Sequence, residues 1–329
     1  MTQYIHPISL GKLNFPVNIA IAPMAGYTDL AYRKIVREIG GAGIYYTELV
    51  SCHALIHCSK KTLALISTTP DEFPLGMQLF GSDPEIMAAS ASLLEDYGAG
   101  FIDINMGCPV SKVVKTGGGA ILMTAPDTAA NIVEKCVKAV SIPVTVKIRA
   151  GWDDSSINAP EFAKKMVDAG AALIAVHGRT RAQGYSGKAN RDIIRQVVEA
   201  VDVPVLGNGD IVDGDSAIDM FEKTGCAGIM IGRAAMGAPW LYKQIYEYLT
   251  SGKVISDPPR ELRGKLAWKH FNYLKEIYGE KIACLHIRRI SCSYSRGLQG
   301  VKEFRRHAVR VENSEQVYNV LNEYFGKID

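Results

Sequence analysis

Residues 203–233 read VPVLGNGDIVDGDSAIDMFEKTGCAGIMIGR. Two short apolar runs, Val203–Gly207 and Gly228–Gly232, flank a segment, Asp215–Lys223, whose apolar residues recur at helical spacing. Neither run alternates apolar with polar, so each is expected to be a strand covered on both faces. A covered strand, a helix and a second covered strand make one parallel β/α unit. The same pattern recurs toward the N-terminus in Val17–Met24, Gly43–Leu49, Leu75–Phe80, Phe101–Met106, Val144–Arg149 and Leu173–His177. Helical segments separate these runs, among them Asp29–Ile39, Pro84–Tyr97, Pro126–Val140, Pro160–Ala169 and Arg191–Ala200, and several open with Pro or Asp. Eight such units predict an α/β fold, a TIM (β/α)8 barrel over residues 1–240. No GxGxxG follows the first run to favour an open, doubly wound sheet.

Beyond Trp240 the β-runs stop. After the break Ser256-Asp257-Pro258-Pro259, the stretches Glu261–Tyr278, Lys281–Tyr294, Val301–Val309 and Ser314–Phe325 predict an all-helical domain over 241–329, its last helix capped by Ser314. The chain of 329 residues is formally +3, but residues 260–310 hold thirteen Lys and Arg against four Glu. That segment is therefore +9 and the remainder −6. Such an asymmetry suits either a polyanion-binding appendage or a solvated helical surface. No run approaches the roughly 18 apolar residues of a membrane-spanning helix, and the first residues lack a secretory layout. Seven irregularly spaced cysteines fit reduced thiols better than a disulfide framework, so a cytoplasmic protein is expected. Cys52-His53 and His57-Cys58 invite a zinc reading, but without a CxxC bite or a second cluster they are assigned to packing, and no metal is expected.

In such a barrel the chemistry sits at the C-terminal ends of the strands. Here those ends carry Pro23-Met24-Ala25, Gln78, Asn105-Met106-Gly107-Cys108-Pro109, Lys147-Ile148-Arg149, His177-Gly178-Arg179-Thr180-Arg181, Asn208-Gly209-Asp210 and Gly232-Arg233. Glycines beside the last two runs let backbone N–H groups approach an anion, which points to a phosphate-bearing ligand, although each motif alone also suits a plain turn. Cys108 lies in a turn just past a buried strand. A thiol near its ordinary pKa of about 8.5 is mostly protonated at neutral pH, so it can donate a proton as well as act as a nucleophile; the alternative is a small packing residue before a Pro turn. The following stretch, ending in Gly117-Gly118-Gly119, is expected to be able to move as a lid.

In order and wording, Ala22–Asp29, Met77–Ser82, Asp103–Pro109, Val146–Arg149, His177–Arg181 and Asn208–Ile211 resemble the tRNA-dihydrouridine synthases, flavin enzymes that reduce uridine in tRNA. The chain is most similar to their bacterial B-type branch. The resemblance implies FMN across the barrel mouth, with Pro23, Met24 and Ala25 against its ring and Gln78 at the ring's polar edge. Lys147 would neutralise charge on the reduced ring, and His177, Asn208, Gly209, Asp210, Gly232 and Arg233 would hold the ribityl chain and phosphate. It further implies hydride transfer to uracil C6, Cys108 as the acid that protonates C5, and Asn105 on the base. Arg149, Arg179 and Arg181 would be further substrate contacts, Lys112 and Lys115 would line the mouth, and NADPH would supply electrons. The basic helical segment becomes a tRNA-binding domain, with Arg288, Arg289, Arg305 and Arg306 on phosphates. Where the family has a histidine and a tryptophan in this segment, the chain has Ile290 and Ser293. A monomer is expected. Two other readings predict different behaviour: an FMN-dependent dehydrogenase of free pyrimidines would have no use for the basic appendage, and an RNA-binding protein without chemistry would hold no flavin.

Overall fold

In the computed structural model, which describes residues 4–328, eight parallel strands form the expected barrel. A short hairpin of β1 (Ile8–Leu10) and β2 (Leu13–Phe15) precedes them. The barrel strands are β3 (Ile19–Ile21), β4 (Tyr45–Ser51), β5 (Leu75–Phe80), β6 (Phe101–Met106), β7 (Val144–Arg149), β8 (Ile174–His177), β9 (Val205–Asn208) and β10 (Gly228–Ile231). Each pairs with its sequence neighbour from β4 to β10, and β10 returns to pair with β3. The ring closes where Ala20 bridges Ile44 and the Ile21 N–H donates to the Ile44 carbonyl at 2.9 Å.

Two apolar layers hold this ring. Outward-facing strand residues such as Met77, Ile104, Val146, Val176 and Ile229 pack with the surrounding helices in one continuous buried cluster. Inward-facing Ala20, Tyr46, Phe101, Leu206 and Met230 form a second cluster, which the hairpin completes with Ile8, Leu10 and Phe15. Phe15 meets Phe101 edge-on, ring centroids 5.7 Å apart, and Ile8 lies against Gly228 at the start of β10. The hairpin therefore floors the barrel at the end where its strands begin. Its strands of three residues are too short to leave a periodicity in the sequence.

The helix Leu241–Ser251 is a second addition to the expected pattern. Leu241, Tyr242, Ile245 and Leu249 are buried in the barrel's outer cluster, so barrel packing continues past residue 240. Four helices follow: Arg260–Tyr278, Glu280–Tyr294, Val301–Ala308 and Ser314–Phe325. They share a separate core built on Phe271, Leu274, Ile287, Tyr294, Phe304, Leu321 and Phe325, to which Ala31 and Trp240 contribute from the barrel side. The cap of the last helix is Asn313, whose side chain accepts from the Gln316 N–H; Ser314, the cap expected from sequence, is its first helical residue. No helix among the described residues is long and apolar enough to cross a membrane.

Candidate functional site

Strand register creates the site. Gln78 on β5, Asp103 on β6 and Thr145 on β7 are successive cross-strand partners, and all three face the barrel interior above the apolar floor. Thr145 Oγ1 donates to Asp103 Oδ1 at 2.6 Å and Gln78 Nε2 donates to Asp103 Oδ2 at 2.5 Å. Burial pushes the Asp103 carboxyl up to about 6, against these hydrogen bonds and Lys147, so it is ionised and acceptor-only at neutral pH. Gln78 must then turn its oxygen the other way, where it accepts from Asn105 Nδ2 at 2.8 Å. Asn105 Oδ1 is occupied in turn by the N–H groups of Gly107, at 3.2 Å, and Cys108, at 2.9 Å. What Asn105 has left for the pocket it lines is one N–H. Gln78, expected at a ligand's edge, is fully buried beneath Asn105 and is not part of the pocket wall.

The Asn105 bonds fix the turn that carries Cys108. The Cys108 carbonyl accepts from the Ala120 N–H at 3.0 Å. Gly119, at φ +68°, makes this approach possible, since a β-carbon there would stand 2.7 Å from that carbonyl oxygen. Here the glycine run expected to act as a lid is packed against the turn and the end of β5; Ser82 Oγ donates to the Thr116 carbonyl at 2.8 Å. Cys108 lines the pocket, and burial raises its thiol above the ordinary value while Arg149 and Lys147 pull the other way. The thiol is therefore protonated at neutral pH.

A cationic wall begins beside this turn, where Lys147 on β7 is the cross-strand partner of Asn105. Lys147 donates to Asn208 Oδ1 at 3.2 Å, and Asn208 is itself fixed by donating to the Met230 carbonyl at 2.7 Å. Burial, aided by Arg149, lowers the Lys147 ammonium to about 8. Burial and then Lys147, Arg149, Arg179 and Arg233 hold His177 far below its ordinary value, so its imidazole is neutral. Asp210 also lines the pocket, at φ +53°, but its carboxylate is bound to Arg179, at 2.8 and 2.9 Å, and to the Ala189 N–H at 2.7 Å. Burial opposes ionisation there, yet the Ala189 N–H and Arg179 keep its pKa below the usual carboxylate value. Gly209, Gly232 and Arg233 complete this side of a pocket of about 740 Å³, with Pro23, Met24 and Ala25 on its other rim.

The arginines expected on the substrate are engaged with protein groups, and Arg149 also lines the pocket. Arg149 is buried and donates to the carbonyls of Gly107 at 2.8 Å and of Thr180 and Gly184 at 2.9 Å. Arg179, equally buried, holds the Ser186 and Gly187 carbonyls besides Asp210. Arg181 stacks on Trp152, 4.5 Å from the ring centroid, outside the pocket. Lys112 and Lys115 are exposed on and just after the short helix Ser111–Val114. Tyr185, which no sequence motif marks, is more than half exposed at the pocket rim with Arg233 over its ring at 4.1 Å. Arg296 reaches the same pocket from the helical domain. An exposed aromatic in a glycine-flanked loop was the available signal for the first, and the charge run for the second.

Arg296 further lines a separate groove of about 460 Å³ with Arg288, Arg289, Arg305, Leu285 and Val309. Arg306 points elsewhere and pairs with Glu303 at 2.8 Å. Arg288 donates from Nε to the Val311 carbonyl at 2.9 Å. Among the described residues, no group of three His, Cys, Asp or Glu side chains is placed to hold a metal ion.

A family model described as dihydrouridine synthase matches residues 20–328. The probable tRNA-dihydrouridine synthase of Rickettsia prowazekii is 41% identical over 91% of this chain and 91% of its own. The tRNA-dihydrouridine synthase B of Pseudomonas aeruginosa is 36% identical over 97% of this chain and 96% of its own. Among solved structures, the 6-hydroxypseudooxynicotine amine oxidase of Pseudomonas geniculata N1 superposes with a TM-score of 0.59 at 15% identity, over 75% of this chain and 49% of its own, a likeness of fold alone.

Proposed function

We propose that this chain, which belongs to the dihydrouridine synthase family, reduces uridines of tRNA to 5,6-dihydrouridine in the pocket at the barrel mouth, with FMN as bound cofactor and NADPH as electron donor. The observation that carries this reading is a protonated thiol, Cys108, in one pocket with cationic and glycine-lined walls.

The residues fit the cofactor. The pocket volume lies in the range of small-molecule and cofactor sites. Lys147 would neutralise an anionic ring, His177 and Asn208 would meet the ribityl chain, and Gly209, Gly232, Arg233 and the Asp210 backbone would hold the phosphate. FMN, when bound and reduced, supplies the hydride for uracil C6. Cys108 holds the proton that goes to C5, and burial keeps that proton in place at neutral pH. The free N–H of Asn105 suits a uracil carbonyl, on which negative charge develops, and is mismatched to an exocyclic amino group. Because the base must leave the RNA stack to reach this pocket, a second surface has to hold the RNA. The arginine groove joined to the pocket by Arg296 would supply it, and the exposed Lys112 and Lys115 would add to it.

The reading predicts a yellow protein that NADPH bleaches without oxygen and that tRNA recolours. Recolouring by free uracil but not by tRNA would instead indicate a dehydrogenase of free pyrimidines, and a colourless preparation would overturn the flavin reading. Mass spectrometry of tRNA from cells lacking and then regaining the protein identifies the modified uridine.

A further inference from the structure

The loop from Ala22 to Thr28 contributes Pro23, Met24 and Ala25 to the pocket wall. The barrel domain fixes its ends: the Met24 N–H donates to Thr28 Oγ1 at 2.9 Å, and the Thr28 carbonyl accepts from buried Arg33 at 2.9 Å. Its middle is held from two domains. The Gly26 N–H donates to Glu48, a buried glutamate on β4, while the Gly26 carbonyl accepts from Arg289 of the helix Glu280–Tyr294. The Arg289 guanidinium also lies over the Tyr27 ring, 4.3 Å from its centroid. At φ +73°, Gly26 would place a β-carbon 2.5 Å from Arg289, so this approach requires glycine.

We propose that Arg289 is a positioning residue for the cofactor wall, which grips the Gly26 peptide opposite Glu48 and thereby makes the helical domain part of the FMN site. This rests on the FMN reading above and replaces the phosphate contact expected of Arg289. The Arg289 guanidinium is anchored to a carbonyl and a ring face of the barrel domain, whereas Arg296 and Arg305 in the same groove have no such protein partner among the described residues.

The test titrates FMN into the full-length chain stripped of flavin, following the quenching of flavin fluorescence, and measures tRNA binding across a salt series. Arg289→Ala is expected to weaken FMN roughly tenfold, to shift the visible spectrum of bound flavin, and to leave the salt dependence of tRNA binding unchanged. Arg289→Lys recovers part of the affinity. Glu48→Ala also weakens FMN, and combining it with Arg289→Ala costs less than the two separate losses, because both act on one peptide group. Wild-type FMN affinity and spectrum in Arg289→Ala, or a salt slope shallower by about one charge, overturn the proposal. A wild-type chain that takes up no FMN overturns the function proposed above and this role with it; FMN uptake by the wild type with an unaltered Arg289→Ala overturns this role alone.

Discussion

The arginines of the barrel mouth and those of the helical groove carry the same charge, yet they do different work. Arg149 and Arg179 are buried, and their guanidiniums are bound to carbonyls and to Asp210. Arg296 and Arg305 are exposed on an open groove. The difference teaches that an arginine at a strand end is first a device for holding loops, and that a ligand-facing arginine is recognised by what it lacks. At Arg149 and Arg179, substitutions should alter chemistry and stability with little sensitivity to salt; at Arg296 and Arg305, they should alter RNA affinity in a salt-dependent way.

The largest effect expected lies at the mouth. Cys108→Ala should lower dihydrouridine formation by at least about 100-fold while FMN stays bound, as read by mass spectrometry of product and by the visible spectrum. Full activity would remove the thiol as acid. Next, Arg149→Met leaves three backbone carbonyls without their donor and should destabilise the protein by about 3 kcal/mol in urea unfolding, whatever the salt. A stable variant with weakened tRNA binding would move Arg149 to the other side of the comparison.

Asp103 gives an intermediate effect with a defined pH signature. Its folded-state value of about 6 lies above the ordinary 3.8, so its contribution to stability is complete below pH 3.8 and is lost as pH rises through 6. Asp103→Asn should therefore gain about 2 kcal/mol on wild type at pH 7 to 8 and gain nothing near pH 3.5, measured by thermal or urea unfolding at each pH. An equal difference at both pH values would show that the carboxylate is not carrying its charge into the barrel. The smallest effect belongs to the groove: Arg296→Ala with Arg305→Ala should make the salt slope of tRNA binding shallower by about one to two units, with unfolding and FMN content unchanged.

Much of the barrel was legible because buried parallel strands leave continuous apolar runs; β5, β6 and β7 begin and end at the residues their runs predict. Elements whose identity depends on distant contacts were not. The hairpin is too short to be periodic, and Leu241–Ser251 followed the end of the β-runs with nothing in its own sequence to say which core it joins. The same limit applies to the site. Cys108, Asn105 and Lys147 stand at or just past strand ends and line the pocket. The burial of Gln78 depends on Asp103, and the occupation of Arg149 depends on carbonyls as far along the chain as Gly184. Side-chain reach of that length is set by register and loop shape, which a pattern along one strand does not encode.

The floor made by Ile8, Leu10 and Phe15 has a consequence for traffic. A barrel sealed at its base is a cup with a single rim, so in the proposed reaction a base entering, a product leaving and a proton returning to Cys108 would share one doorway. They take turns there, and whatever sits on the rim sets the order.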